Sequence, residues 1–231
     1  MIKKLVYKLS TTIIRLYARL MLHIDIQWQQ DLPVGPVIFA ANHPSATDPF
    51  LIHLVSRQPV SVCITESAFA VPVLGAFMRY LRQISVSPGQ GKLTLDTASR
   101  MMADGHAIAI FPEGLVSPHE GGFHAPRSGV ARLALGTGVP VIPVGISLMR
   151  DRSTQITSGI SGKQTTAWWY LRGPYVVTVG KPIQFEGNSE DHEQVRSVAQ
   201  RLMGSIYTLA SESEQRLRRK KGWSSSPIGL L

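Results

Sequence analysis

Residues 34–50 read VGPVIFAANHPSATDPF, and this stretch decides the fold that we predict for the chain. Its first part, from about Pro36 to Ala41, is an apolar run typical of a buried strand. A helix is predicted in the segment ATDPFLIHLVSR, because Thr47 or Asp48 can cap its start and Pro49 suits its first turn. A buried strand, a short connection and a helix form the repeating unit of an α/β domain.

The connection carries a histidine, His43, and the carboxylate of Asp48 follows five positions later. An aspartate at the start of the helix can accept a hydrogen bond from one ring nitrogen of His43, which leaves the other nitrogen free to take a proton. The plain alternative is that Asp48 only caps the helix and that His43 is an ordinary loop residue. This segment alone favours the alternative.

Further segments that place polar residues at the ends of predicted strands favour the functional interpretation instead. The run HAIAIFPEGLVS predicts a second buried strand that delivers Glu113 to a turn, and VPVIPVGI, from Val139 to Ile146, predicts a third. Between them, FHAPRSGVARLAL places Arg127 and Gly129 just ahead of a helix. A guanidinium beside the free backbone N–H groups of a helix start suits a bound anion.

In this order, the segments resemble the glycerolipid acyltransferases related to bacterial 1-acylglycerol-3-phosphate acyltransferase. The first and third family blocks, Asn-His-x4-Asp and Phe-Pro-Glu-Gly, are matched by Asn42, His43 and Asp48 and by Phe111 to Gly114. A basic residue two positions before a glycine follows in the family, as Arg127 precedes Gly129 here. With the fourth block, VPVIPV, and the strand VVTVGKPI, the similarity runs from about Val34 to Ile183.

The second family block is only partly present. The segment ITESAFAVPVLGAFMRYLRQISVSP retains Glu66, Pro72 and Gly75. It has Thr65 near the position of a family lysine, and Ser87-Pro88 where the family has an aspartate and an arginine. Arg79 or Arg82 is our candidate for the missing charge, and the alternative is that both side chains are solvated. The departure bears on the identity of a phosphate-bearing acceptor.

The resemblance implies transfer of a fatty acyl group from a thioester to a hydroxyl of a lysophospholipid or glycerol-phosphate-type acceptor. His43 is then the general base and Asp48 its orienting partner. Substrate binding is assigned to Glu113, Gly114, Arg127, Gly129, Arg79 and Arg82. The donor is expected to be acyl-CoA or acyl-carrier protein, with no cofactor. The alternatives are a thioesterase in which His43 activates water, and an inactive lipid-binding adaptor of the same fold.

The predicted fold class is α/β: a single domain with a mixed, largely parallel central sheet flanked by helices and preceded by an amphipathic helix. Strands are expected near residues 36–41, 60–64, 107–111, 140–146 and 174–180. We expect an acyltransferase domain at 26–215, between a helix at 1–25 and a basic tail at 216–231.

Two side-chain groups are predicted to have no catalytic role. Cys63 lies in the β-branched run VSVCIT and is expected to be a small core residue. No metal site is expected, because the polar cluster in the middle of the chain lacks a compact ligand pattern; its members are His106, His119, Glu120 and His124.

Both ends of the chain favour a membrane surface. The 24 Lys and Arg against 15 Asp and Glu give a formal charge of +9, so an anionic partner is expected. Residues 1–24 contain no acid, and a helix gathers one apolar stripe from Ile2, Leu5, Leu9, Ile13, Leu16, Leu20 and Ile24. The segment RLRRKKGW, residues 216–223, adds cations and a tryptophan.

We therefore predict peripheral attachment to membrane lipids, at the cytoplasmic face, through an in-plane helix. The alternatives are a helix that docks on the domain through its stripe, a transit peptide, and a merely solvated tail. Nucleic acid is not favoured as the anionic partner, because neither end carries a recognised binding motif.

Overall fold

The computed structural model describes residues 2–160 and 163–220. Its helices are α1 (Ile2–Leu20), α2 (Asp48–Leu51), α3 (Glu66–Phe69), α4 (Leu74–Tyr80), α5 (Gly91–Ala103), α6 (Gly129–Thr137) and α7 (His192–Lys220). Its strands are β1 (Asp25–Trp28), β2 (Ile38–Ala41), β3 (Val60–Thr65), β4 (Ile84–Val86), β5 (Ala107–Ile110), β6 (Val141–Leu148), β7 (Thr154–Ile160), β8 (Lys163–Trp169) and β9 (Tyr175–Val179). Short 3₁₀ helices cover Ile52–Val55 and Arg150–Arg152.

Within these residues, seven strands form one sheet in the order β1-β9-β6-β2-β5-β3-β4. Strands β6, β2, β5, β3 and β4 pair in parallel, whereas β9 runs antiparallel to β6 and carries β1 parallel to itself. Strands β7 and β8 form a separate antiparallel hairpin. The predicted fold class, a mixed and largely parallel sheet flanked by helices and preceded by a helix, is confirmed.

Strand β2 lies at the centre of the sheet, and all four of its residues are buried. Its side chains alternate between two cores, as the geometry of a strand requires. Phe39 and Ala41 pack in the core on the side of α1, and Ile38 and Ala40 pack in the core on the side of α5, α6 and α7. Burial on both faces explains the uninterrupted apolar run in the sequence.

The register of the parallel strands places their carboxyl ends side by side. Ala40 lies beside Ile110 of β5 and beside Pro143 of β6. The connections that follow β2, β5 and β6 therefore meet near one edge of the sheet, which we call the carboxyl edge. Ligand sites of open α/β sheets lie at such an edge.

The predicted strands agree with β2, β3, β5, β6 and β9 to within a few residues. The helix predicted after His43 is shorter than expected, because α2 ends at Leu51 and gives way to a 3₁₀ helix. Thr47 makes no side-chain capping bond, since its hydroxyl donates to the Tyr170 carbonyl at 3.0 Å. The prediction of a side-chain cap at this helix start is therefore wrong.

Helix α1 packs on the domain through a face other than the predicted stripe. Ala18 is fully buried, Ile14 and Tyr17 pack against the core, and the Tyr7 hydroxyl contacts Nδ1 of His53 at 3.1 Å. The stripe points away from the domain, with 57% to 72% of each side chain exposed for Ile2, Leu5, Leu9, Ile13, Leu16 and Leu20. The exposed stripe contradicts the alternative in which α1 docks through these residues.

Ile24 differs from the other residues of the predicted stripe, because α1 ends before it and its side chain packs against the core. No helix in the described part of the chain is long and apolar enough to cross a membrane.

Helix α7 extends beyond the predicted domain boundary at residue 215 and ends at Lys220. Arg216 lies 3.3 Å from the carboxylate of Asp25 and donates to the carbonyl of Val177 at 2.6 Å. This arginine is therefore part of the folded domain and not of a solvated tail. The rest of the predicted tail, residues 221–231, lies outside the described residues.

Candidate active site

His43 and Asp48 form a hydrogen-bonded pair at the carboxyl edge. Nδ1 of His43 lies 2.9 Å from Oδ2 of Asp48, and the Asp48 side chain is completely buried. A carboxylate can only accept, so Nδ1 carries the proton and Nε2 keeps a free lone pair. The His43 ring stacks on Phe111 with 4.3 Å between centroids, and its side chain is 14% exposed. The arrangement holds one basic nitrogen in a fixed orientation.

Asp48 is itself held by further donors. Its Oδ2 accepts from the Ser45 backbone N–H at 2.8 Å, and its Oδ1 accepts from the Tyr175 hydroxyl at 2.7 Å. Burial, followed by the charge of Asp48, raises the pKa of Tyr175 well above its ordinary value. The hydroxyl therefore stays protonated at neutral pH and remains a donor to the carboxylate.

We expect Tyr175→Phe to lower the free energy of unfolding by about 1–3 kcal/mol, because it leaves one oxygen of a buried carboxylate without a donor. Tyr170→Phe is the matched control, since its hydroxyl donates to a neutral acceptor, the Pro174 carbonyl, at 3.0 Å. Chemical denaturation of both variants at neutral pH measures the difference. Equal losses would mean that the charge of Asp48 adds nothing to the Tyr175 bond.

Asn42 fixes the start of the connection that carries His43. Its side chain is buried, donates to the Ile146 carbonyl at 2.9 Å and accepts from the Ile146 N–H at 2.7 Å. These two bonds tie the end of β2 to β6 where the strands separate. The asparagine of the first block is therefore a structural residue that sets where His43 begins.

Glu113 is buried beside His43, with 2% of its side chain exposed. Its Oε1 accepts from the His43 N–H at 3.0 Å and from the Ser117 hydroxyl at 2.6 Å, and its Oε2 accepts from the His124 N–H at 2.8 Å. The Ser117 N–H in turn donates to the His43 carbonyl at 2.7 Å. The Glu113 carboxylate thus links the loop after β5 to the backbone of His43. The predicted contact of Glu113 with substrate stays a prediction.

Gly114 and Arg127 lie against each other at the same edge. Gly114 has φ +69°, and a Cβ built there would lie 2.4 Å from Nε of Arg127. The backbone conformation at this position favours glycine, and the Arg127 side chain packs against it. Arg127 is exposed, and Gly129 begins α6 with open space around its Cα. Substrate binding by these three residues stays a prediction.

The two arginines of the second block have other partners. Nη1 of Arg79 donates to the Phe69 carbonyl at 3.1 Å, and its substrate contact stays a prediction. Arg82 precedes β4 and pairs with Asp104, which precedes β5, at 2.5 Å. Both residues therefore lie at the edge opposite to His43, and this position does not support the predicted substrate contact of Arg82.

The remaining histidines are dispersed. The His106 ring contacts the Ser61 hydroxyl at 2.9 Å, and the His119 ring stacks on Trp168 with 3.8 Å between centroids. The described residues contain no group of side chains that could hold a metal ion. Burial raises the pKa of the Cys63 thiol to about 12, so this cysteine is protonated and unreactive at neutral pH.

An α/β sheet with a histidine–aspartate pair in the connection that follows β2 agrees with the resemblance to glycerolipid acyltransferases. The profile of the Acyltransferase family matches residues 23–147, which is more than half of the 231 residues. The chain therefore belongs to the Acyltransferase family, as we predicted.

The chain is similar to a yeast acyltransferase and to a bacterial acyltransferase of known structure. The 1-acyl-sn-glycerol-3-phosphate acyltransferase of Saccharomyces cerevisiae is 26% identical over 180 residues, which are 75% of this chain and 56% of the yeast protein. The chain thus spans little more than half of that relative. The crystal structure of the 1-acyl-sn-glycerophosphate acyltransferase PlsC from Thermotoga maritima aligns with a TM-score of 0.64 at 21% identity. The alignment covers 96% of this chain and 83% of that one, and shows a shared fold.

Proposed function

We propose that this chain transfers a fatty acyl group from a thioester to a hydroxyl of a lysophospholipid or glycerol-phosphate-type acceptor. The observation that carries the proposal is the 2.9 Å bond between Nδ1 of His43 and the buried Asp48 carboxylate. It leaves Nε2 as a base that can take a proton from a hydroxyl. The family membership and the acyltransferase activities by which the yeast and Thermotoga proteins are named support the same reaction.

In the proposed reaction, the acceptor oxygen attacks the thioester carbonyl while Nε2 of His43 takes the hydroxyl proton. Asp48 keeps the ring oriented and stabilises the imidazolium that forms. The tetrahedral intermediate then expels the thiolate, which receives the proton from His43. The products are an ester and a free thiol, and His43 returns to its starting state.

Direct attack is favoured over an acyl-enzyme intermediate. Ser45 is completely buried, and its hydroxyl accepts from the Tyr170 N–H and lies within hydrogen-bond distance of the Trp168 carbonyl and the Thr47 hydroxyl. Its oxygen is neither accessible nor paired with a base. Cys63 is protonated at neutral pH, so it is not a nucleophile either.

We also propose that α1 attaches the protein to a membrane surface, at the cytoplasmic face. The observation behind this is the exposed apolar stripe from Ile2 to Leu20, which has no partner among the described residues of the domain. Lys4, Lys8, Arg15 and Arg19 add positive charge to the same helix. A helix of this composition suits burial of its stripe at an anionic leaflet, close to a lipid acceptor.

The reaction is tested with the purified chain, a labelled fatty acyl thioester of CoA or of acyl-carrier protein, and a panel of lysophospholipids and glycerol 3-phosphate. We expect label in an acylated phospholipid product, resolved from free fatty acid by chromatography. Label released mainly as free fatty acid would identify a thioesterase. Lipid binding without turnover of either donor would identify an inactive adaptor.

A further inference from the structure

Besides Arg127, another cation at the carboxyl edge, Arg150, belongs to none of the family blocks. Arg150 follows β6, four residues after Ile146, which bonds the side chain of Asn42. Its Nη1 donates to the Pro118 carbonyl. The neighbouring Ser117 donates to the His43 carbonyl through its N–H and to Glu113 through its hydroxyl. The guanidinium is therefore connected to the candidate active site through one loop.

The charge of Arg150 is only partly compensated by the protein. Among residues 2–160 and 163–220, no carboxylate lies within ion-pair distance of its guanidinium, whose one hydrogen bond there is to the neutral Pro118 carbonyl. Burial lowers the pKa of Arg150, and four more distant carboxylates oppose that effect: Glu113, Asp48, Glu214 and Glu120. A half-buried guanidinium that keeps free N–H donors is suited to a bound anion.

The second family block lacks the lysine and the arginine that the family carries there. Of the two candidates for that charge, Arg82 lies at the opposite edge in an ion pair with Asp104, and Nη1 of Arg79 donates to the Phe69 carbonyl. We propose that Arg150 binds the anionic phosphate of the acceptor and so replaces the charge absent from the second block. This inference rests on the proposed function, because it names the group that recognises the acceptor of that reaction.

The test compares Arg150→Gln with Arg152→Gln, a control that removes the same charge from an exposed residue of the same 3₁₀ helix. Losing a charge-assisted bond of about 1.5–3 kcal/mol corresponds to an increase of about 10- to 100-fold in the acceptor KM. We expect this increase for Arg150→Gln with a phosphate-bearing acceptor, and less than about a twofold change in the KM of the thioester. Arg150→Lys should recover part of the loss, since it restores the charge without the planar fork.

A binding measurement separates this inference from the proposed reaction. Calorimetry with a short-chain 1-acylglycerol 3-phosphate and the matching monoacylglycerol needs no turnover. We expect the unmodified protein to prefer the phosphorylated lipid and Arg150→Gln to lose that preference, even if no transfer is observed. The inference would be overturned by an unchanged preference, by equal effects of Arg152→Gln, by an increase confined to the thioester KM, or by a fall in kcat at constant KM.

Discussion

His43→Ala is expected to lower the rate of acyl transfer by about 10²- to 10⁴-fold, the usual contribution of a positioned general base. The substitution removes the imidazole ring whose orientation Asp48 fixes. The fold should persist, because the neighbouring backbone bonds of His43 to Glu113 and Ser117 do not involve the ring. The measurement is initial rate at saturating thioester and acceptor, with lipid binding and thermal unfolding measured in parallel.

The matched control for this prediction is His192→Ala. His192 is an exposed histidine at the start of α7, and its ring contacts Arg132 at 3.4 Å. It should keep the full rate. If a folded His43→Ala protein turns over at a near-normal rate, the proposed chemistry is wrong; if it loses the transfer rate but gains hydrolysis, the base acts on water.

The sequence predicts the central strands well because most of their residues are buried. Strand β2 is buried at every position and sits between two parallel neighbours, so its residues have little freedom to be polar. Strand β1 is different: Gln27 and Trp28 are exposed, and β1 pairs on one side only, at the edge of the sheet. Its pattern carries little hydrophobic signal, and it was not predicted.

The candidate site likewise contains residues that the sequence predicts and residues that it does not. His43 and Asp48 are five residues apart on one connection, so local spacing was sufficient to pair them. Tyr175 is 127 residues from Asp48 and reaches it only because β9 runs antiparallel beside β6. Arg82 lies at the amino end of β4, at the edge opposite to His43. The sequence around Arg82 does not specify this position. The sequence shows the residue types, but it does not show which strands are neighbours in the sheet.

A triple substitution of the exposed stripe, Leu5→Gln, Leu9→Gln and Leu16→Gln, is expected to release the protein from liposomes without destabilising it. The three side chains are 68%, 59% and 57% exposed, so the domain loses little packing, and glutamine is a good helix former. Burial of a leucine contributes at most about 1.5–3 kcal/mol. Even about 1 kcal/mol for each residue lowers the partition coefficient by roughly 100-fold for the three.

Two further variants make this prediction specific. Leu93→Gln changes a leucine of α5 that is 56% exposed, and it should affect neither flotation nor the melting temperature. Ile14→Gln places an amide on the face of α1 that packs on the core, and it should lower the melting temperature. The measurements are co-flotation with anionic and neutral liposomes at low and high salt, with a thermal melt of each variant. If the triple variant floats as well as the unmodified protein, attachment does not depend on the stripe. If it melts at a much lower temperature, the stripe contributes to the stability of the domain.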